Sequence, residues 1–121
     1  MPGQVLVVDD ALFMRSMLRD IFSQAGWEVV GEAENGEQAV MMYEQQRPDL
    51  VTMDIVMPVL GGIEALKKIL QLEPEARVVV CSALGQKHLI LDALAVGARD
   101  FIVKPFQSEQ VLEVAERVIA S

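Results

Sequence analysis

The 121-residue chain has one cysteine, one histidine, one tryptophan and one tyrosine. A single cysteine, Cys81, excludes an internal disulfide and suits a reducing compartment. It closes the apolar run Val78-Val79-Val80-Cys81, so it is expected to be an inert core thiol. His88 has no second histidine or cysteine at metal-ligand spacing, which excludes a zinc-type site and puts His88 on a solvated surface. Basic residues are few: 10 Lys and Arg against 18 Asp and Glu, a formal net charge of −8. Without a basic run the chain lacks the phosphate contacts on which nucleic-acid binding depends, so no nucleic-acid partner is expected. No apolar stretch approaches the ~20 residues that cross a bilayer. Met1-Pro2-Gly3-Gln4 carries no charged leader. The expectation is a soluble, cytoplasmic, monomeric protein with neither signal peptide nor membrane contact.

What the chain does have is apolar residues, at 52%. That is enough for one domain with a real core over 1–121, and the length is too short for two. Five apolar runs alternate with five helical patterns. Strands are predicted at about 4–8, 28–33, 50–53, 77–81 and 100–103. Four are short and apolar on consecutive positions, as in strands covered on both faces. The mixed run Glu28 to Ala33 suggests an edge. The first helix is expected to bury Phe13, Met14, Met17, Leu18, Ile21 and Phe22 and to stop at Gly26. Asn35 caps the second, which ends before Pro48. The third buries Ile63, Leu66, Ile69 and Leu70 and stops near Pro74. The fourth buries Leu89, Ile90, Ala93 and Leu94 before Gly97. The fifth is capped by Ser108 and turns Glu109, Glu113, Glu116 and Arg117 to solvent. Five βα units imply right-handed crossovers and a parallel sheet with helices on both faces. Periodicity leaves the strand order open. The flavodoxin-like order 2-1-3-4-5 is the common doubly wound α/β arrangement for five strands.

Polar residues stand where these strands stop: Asp9 and Asp10, Asp54, Ser82 and Lys104. The carboxyl ends of parallel strands share one edge, where ligands bind. Three carboxylates, a hydroxyl and an ammonium gathered there suit a hard cation beside a phosphoryl group. Clustered carboxylates repel one another unless a cation is present. All the candidate ligands are oxygens, which selects Mg²⁺, Mn²⁺ or Ca²⁺. A competing reading makes Asp9 and Asp10 simple caps of the first helix. Asp54 and Lys104 at matching strand ends weigh against it.

The blocks Val7-Val8-Asp9-Asp10, Asp54 with Met57-Pro58 and Gly62, Ser82-Ala83, and Lys104-Pro105-Phe106 appear in order over the whole chain. In them the chain resembles the receiver domains of two-component response regulators, and most closely their stand-alone chemotaxis members. The resemblance implies that Asp54 takes a phosphoryl group from a phosphohistidine on a histidine kinase. It implies that Asp10, Asp54 and the Val56 backbone carbonyl bind Mg²⁺, for which Mn²⁺ can substitute, with Asp9 acting through water. Lys104 and Ser82 would meet phosphoryl oxygens. Ser82 and Phe101 would form the switch, and the Lys104–Pro105 bond would be cis. Lys87, Phe101 and Gln107 are the expected partner contacts, on a surface of fourth helix, last strand and last helix. The expected partners are the kinase, a flagellar motor switch protein and a separate phosphatase. The protein would thus be a phosphoacceptor that catalyses its own phosphorylation and slow dephosphorylation, not an enzyme acting on other substrates.

Gly61 replaces a common Asp or Asn, and Val56 and Leu84 replace polar residues beside the site. A packed aromatic with no switch role remains open for Phe101, as does a receiver cut from a longer DNA-binding regulator. A haloacid-dehalogenase-type phosphatase would want Asp-x-Asp, and a flavodoxin would want a Ser/Thr/Gly phosphate loop in place of Ala11-Leu12-Phe13.

Overall fold

Strands and helices alternate strictly in the computed structural model, which describes residues 3–121. They are β1 (Gln4–Val8), α1 (Leu12–Gln24), β2 (Glu28–Ala33), α2 (Gly36–Gln46), β3 (Leu50–Asp54), α3 (Gly62–Leu72), β4 (Val78–Ala83), α4 (Lys87–Val96), β5 (Asp100–Lys104) and α5 (Ser108–Ala120). Of the segment read as lacking a leader, Met1 and Pro2 lie outside the described residues. All strand pairs are parallel, and the order is β2-β1-β3-β4-β5. This is the flavodoxin-like arrangement, with the mixed strand β2 at an edge as its composition implied.

Alternation along each buried strand divides the core in two. Leu6, Val8, Val51, Met53, Val78 and Val80 face Ala39 and Tyr43 of α2, Ala65, Leu66 and Ile69 of α3, and Ile90 and Ala93 of α4. Val5, Val7, Leu50, Val79, Cys81 and Ile102 face Leu18 and Phe22 of α1 and Val111, Ala115 and Val118 of α5. Trp27 closes that second layer, edge-on to Phe22 at 5.3 Å between ring centroids. Each fully buried large side chain contributes about 1.5–3 kcal/mol.

Helix ends follow local chemistry. The Asn35 side chain accepts from the Gln38 N–H at 2.9 Å. Gly26 and Gly97 carry positive φ at the ends of α1 and α4. Two expectations are corrected. Phe13 is 71% exposed, because at ~100° per residue it lies roughly 140° around the helix from Leu18, on the opposite face. Ser108 is the first residue of α5, not its cap. Gln107 holds that position, its N–H bound by the Gln110 side chain at 3.0 Å. β1 and β2 have the expected bounds, whereas β3, β4 and β5 run one or two residues further, so Asp54, Ser82 and Lys104 are ladder residues rather than the first loop residues. Their partners are Asp54 with Cys81, Ser82 with Val103, and Lys104 with Ala83.

The loop from β3 to α3 is pinned at both ends. The Gly36 N–H donates to the Leu60 carbonyl at 2.9 Å and the Gly62 N–H to the Ile55 carbonyl at 2.8 Å. A Cβ at Gly36 would strike the Leu60 carbonyl oxygen, and one at Gly62 the Asp54 carbonyl oxygen. Glycine at these two positions lets the loop lie against its neighbours. Between the pins, the Leu60 N–H reaches the Pro58 carbonyl at 2.7 Å, and Val59 sits at φ 68°. That is a tight turn centred on a β-branched residue in the left-handed region, which costs about 1–3 kcal/mol.

Candidate functional site

The carboxyl ends of β1, β3, β4 and β5 meet at one edge of the sheet, where Asp9 and Asp10 follow β1 and Asp54, Ser82 and Lys104 lie at or next to the ends of their strands. Carboxylate oxygens of Asp9, Asp10 and Asp54 lie within 4.8 Å of one another. The Lys104 Nζ stands 2.8 Å from Asp9 Oδ2 and 3.4 Å from Asp54 Oδ2. The five residues chosen from sequence are therefore drawn to one edge by the topology, although Lys104 is 95 positions from Asp9.

The three acids are not equivalent. Asp9 is fully buried, Asp54 is 7% exposed, and Asp10 is exposed. Asp9 is engaged on both oxygens: Oδ1 accepts from the Ala11 N–H at 2.9 Å and Oδ2 from Lys104 at 2.8 Å. Among the described residues, no protein group donates to the Asp10 carboxylate. Burial pushes the Asp54 carboxyl up to about 6, and the charge of Asp9 pushes the same way against the opposing pull of Lys104. Burial works against the charge on Lys104. The hydrogen bond to Asp9 and the charge of Asp54 outweigh it and raise the ammonium above its ordinary value. One ammonium against three carboxylates leaves the edge short of positive charge.

The Ser82 hydroxyl is fully buried and has no hydrogen-bond partner. An unpaired buried hydroxyl costs about 1–3 kcal/mol, so an acceptor oxygen brought beside Ser82 would be favoured. Hard oxygen donors and a surplus of negative charge fit Mg²⁺ or Mn²⁺. The Val56 side chain and Leu84 are 54% and 77% exposed on the loops that follow β3 and β4. The Lys104–Pro105 bond is cis, as expected.

Phe101 faces outward on β5, 39% exposed. It borders a groove of about 300 Å³ with Leu84, Lys87, Ile90, Leu94 and Val103. Gln107 is not part of that groove. It lines a separate one between α1 and α5, with Met17, Ile21 and Phe106. Cys81 is buried and its thiol is pushed up to about 12 by burial, as an inert core thiol should be. His88 is exposed.

Sequence reasoning missed Arg15. Its side chain is 12% exposed, and its Nη1 donates to the Asp9 carbonyl at 2.8 Å. The signal was present: three residues before Leu18, Arg15 lies roughly 60° around the helix from Leu18, on the same side as buried Phe22.

Residues 5–116 match the family described as the response regulator receiver domain. The chain is 52% identical over 118 residues to the chemotaxis protein CheY of Thermotoga maritima, covering 98% of both chains. It is 54% identical over 119 residues to that of Bacillus subtilis, covering 98% of this chain and 99% of the relative. Among solved structures it resembles a chain of the CheX–CheY–BeF3–Mg complex of Borrelia burgdorferi. The TM-score is 0.94 at 39% identity, over 100% of this chain and 92% of that one. The response regulator domain of Thermotoga maritima CheB gives a TM-score of 0.91 at 41% identity, over 100% and 98%.

Proposed function

Because this chain belongs to the response regulator receiver family, we propose that it is a chemotaxis switch, a single receiver domain over 1–121 phosphorylated on Asp54. The observation that carries the reading is the Asp54 carboxylate on a strand end, flanked by two further acids, one ammonium and an unpartnered buried hydroxyl.

In the proposed reaction an oxygen of Asp54 attacks the phosphorus of a phosphohistidine on a histidine kinase. The new P–O bond forms as the P–N bond breaks, and its electron pair returns to the imidazole nitrogen. Asp10, Asp54 and the Val56 carbonyl would hold Mg²⁺, with Asp9 acting through a water. When bound, the ion would supply neutralising charge to the transferred oxygens and favour the ionised form of buried Asp54. Asp9 suits the indirect place because both its oxygens are already bound, and Asp10 the direct one because its carboxylate has no protein donor among the described residues. Lys104 would turn from Asp9 toward a phosphoryl oxygen, and the Ser82 hydroxyl would donate to another. Catalysis is then positioning and charge neutralisation rather than acid–base work.

Movement of Ser82 would draw Phe101 inward and change the surface of α4, β5 and α5. Lys87 and Phe101 border the responsive groove, and Gln107 lies beyond it on the α1 side. The partners in this reading are a histidine kinase, a flagellar motor switch protein and a separate phosphatase, in the cytoplasm and with a monomeric switch. Nucleic acid is disfavoured by the exposed acidic face of α5, formed by Glu109, Glu113 and Glu116. The test is intact mass after incubation with a small acyl phosphate and Mg²⁺. The wild type should gain one phosphoryl group and Asp54→Asn none. Equal labelling of both would sink the assignment.

A further inference from the structure

A guanidinium beside an edge short of positive charge would be expected to reach for a carboxylate of that edge. Arg15 does not. Its Nη1 donates to the backbone carbonyl of Asp9 at 2.8 Å. Its Nε faces Glu32 at 3.4 Å and its Nη2 faces Glu34 at 3.9 Å. Glu32 lies on β2 and Glu34 follows its end, and neither belongs to the acid cluster. Glu32 is itself held by Arg19 at 3.1 Å and registered against Val7 of β1.

The result is a fixed Asp9 peptide. The Asp9 N–H donates to the Ala33 carbonyl at 3.0 Å, which continues the β1–β2 ladder by one step. The Asp9 carbonyl is held by Arg15, and its carboxylate by the Ala11 N–H and Lys104. The carbonyl matters most. The peptide unit is planar, so fixing the Asp9 carbonyl also fixes the direction in which the chain leaves for the Asp10 Cα. Asp10 has no protein hydrogen bond of its own among the described residues, and its aim rests on that peptide. Glu32 and Glu34 balance the Arg15 charge, so the arginine orients the loop without neutralising the acids and displacing a cation from them.

We propose that Arg15 is a positioning residue for the cation site, acting through the Asp9 carbonyl to aim the Asp10 carboxylate, with Glu32 as the tether that keeps its charge off the acids. This rests on the reading that the acid cluster binds Mg²⁺. Outer partners of metal ligands typically change affinity by about 10- to 100-fold when removed.

Isothermal titration with Mg²⁺, and with Mn²⁺ as a second probe, tests the proposal on the full chain. Arg15→Gln should weaken binding by about ten-fold or more, and Arg15→Lys, which keeps one donor and the charge, should recover part of the loss. Glu32→Gln leaves Arg15 intact but frees it toward the acids, and should also weaken binding, by several-fold. The Asp10 and Ala11 amide resonances should shift in the metal-free Arg15→Lys variant. An arginine that only supports the fold would lower the unfolding temperature in chelator and leave affinity unchanged. If Arg15→Gln does not fold, the Lys and Glu32→Gln variants decide. Wild-type affinity in both would overturn the positioning role, whereas a wild-type chain that binds no Mg²⁺ would overturn the reading of the site itself.

Discussion

Asp54→Asn should stabilise the metal-free protein at neutral pH. The Asp54 carboxyl stands at about 6 in the fold against an ordinary value of 3.8, chiefly through burial and then through the charge of Asp9. At about 1.4 kcal/mol per pH unit the difference is about 3 kcal/mol. The site opens to solvent at its edge, so about 2 kcal/mol is the working figure. The sign follows from linkage. Between pH 4 and 6 the folded state binds more protons than the unfolded state, so the Asp54 contribution to stability falls as pH rises and is lowest above 6. Asparagine carries no such penalty, and Lys104 keeps its 2.8 Å bond to Asp9 in the variant. Thermal unfolding in chelator at pH 7.5 should therefore show the variant roughly 8 °C higher. The gap should shrink to a small remainder at pH 4, where folded Asp54 is protonated, and vanish below about 3.8, where the unfolded chain is protonated as well. Millimolar Mg²⁺ should narrow it at pH 7.5 by stabilising the wild type more. A variant no more stable than wild type at pH 7.5, or equally ahead at pH 4, would refute the reasoning.

Asp10→Ala should weaken Mg²⁺ binding more than Asp9→Ala in isothermal titration, and equal, unchanged affinities would contradict the division of roles. The pair Val56→Asn with Leu84→Glu should shorten the phosphoryl lifetime roughly ten-fold by placing polar groups where an attacking water must be oriented. Decay followed by intact mass would show it, and equal or slower decay would place control elsewhere. Val59→Asn should raise stability in chemical denaturation by about 1 kcal/mol, because asparagine tolerates positive φ; a loss would mean that the exposed Val59 side chain makes a needed contact. Addition of a motor-switch peptide to phosphorylated protein should move resonances around Lys87 and Phe101, and a footprint on Gln38 to Gln45 would rule the output surface out.

Most of the site was legible because its chemistry coincides with a change of pattern. Asp9, Asp10, Asp54, Ser82 and Lys104 each interrupt an apolar run, and parallel topology turns strand ends into one edge. The alternation of strands and helices was legible for the same reason, while the strand order came from the common five-stranded arrangement rather than from periodicity. Three things were hidden. The contrast between buried Asp9 and exposed Asp10 arises from Lys104 and the Ala11 amide, contacts that adjacent sequence positions do not specify. Helix angle placed Arg15 near the buried face, but its partner, the Asp9 carbonyl, is a backbone atom with no sequence signature. Val59 adopts its strained φ because the loop is pinned at Gly36 and Gly62, and intrinsic preference would have argued otherwise. Phe13 was misplaced by including a residue too far around the helix, an error of angle rather than of composition.

The identity of the phosphoacceptor is tested most directly by chemical mapping. Wild-type protein treated with an acyl phosphate and Mg²⁺ is reduced with borohydride, which converts an aspartyl phosphate to homoserine. Tandem mass spectrometry of the digest should then find homoserine at position 54 alone, and only when Mg²⁺ was present. Homoserine at position 9 or 10, or none at 54 in protein that carries the added phosphoryl mass, would contradict the account.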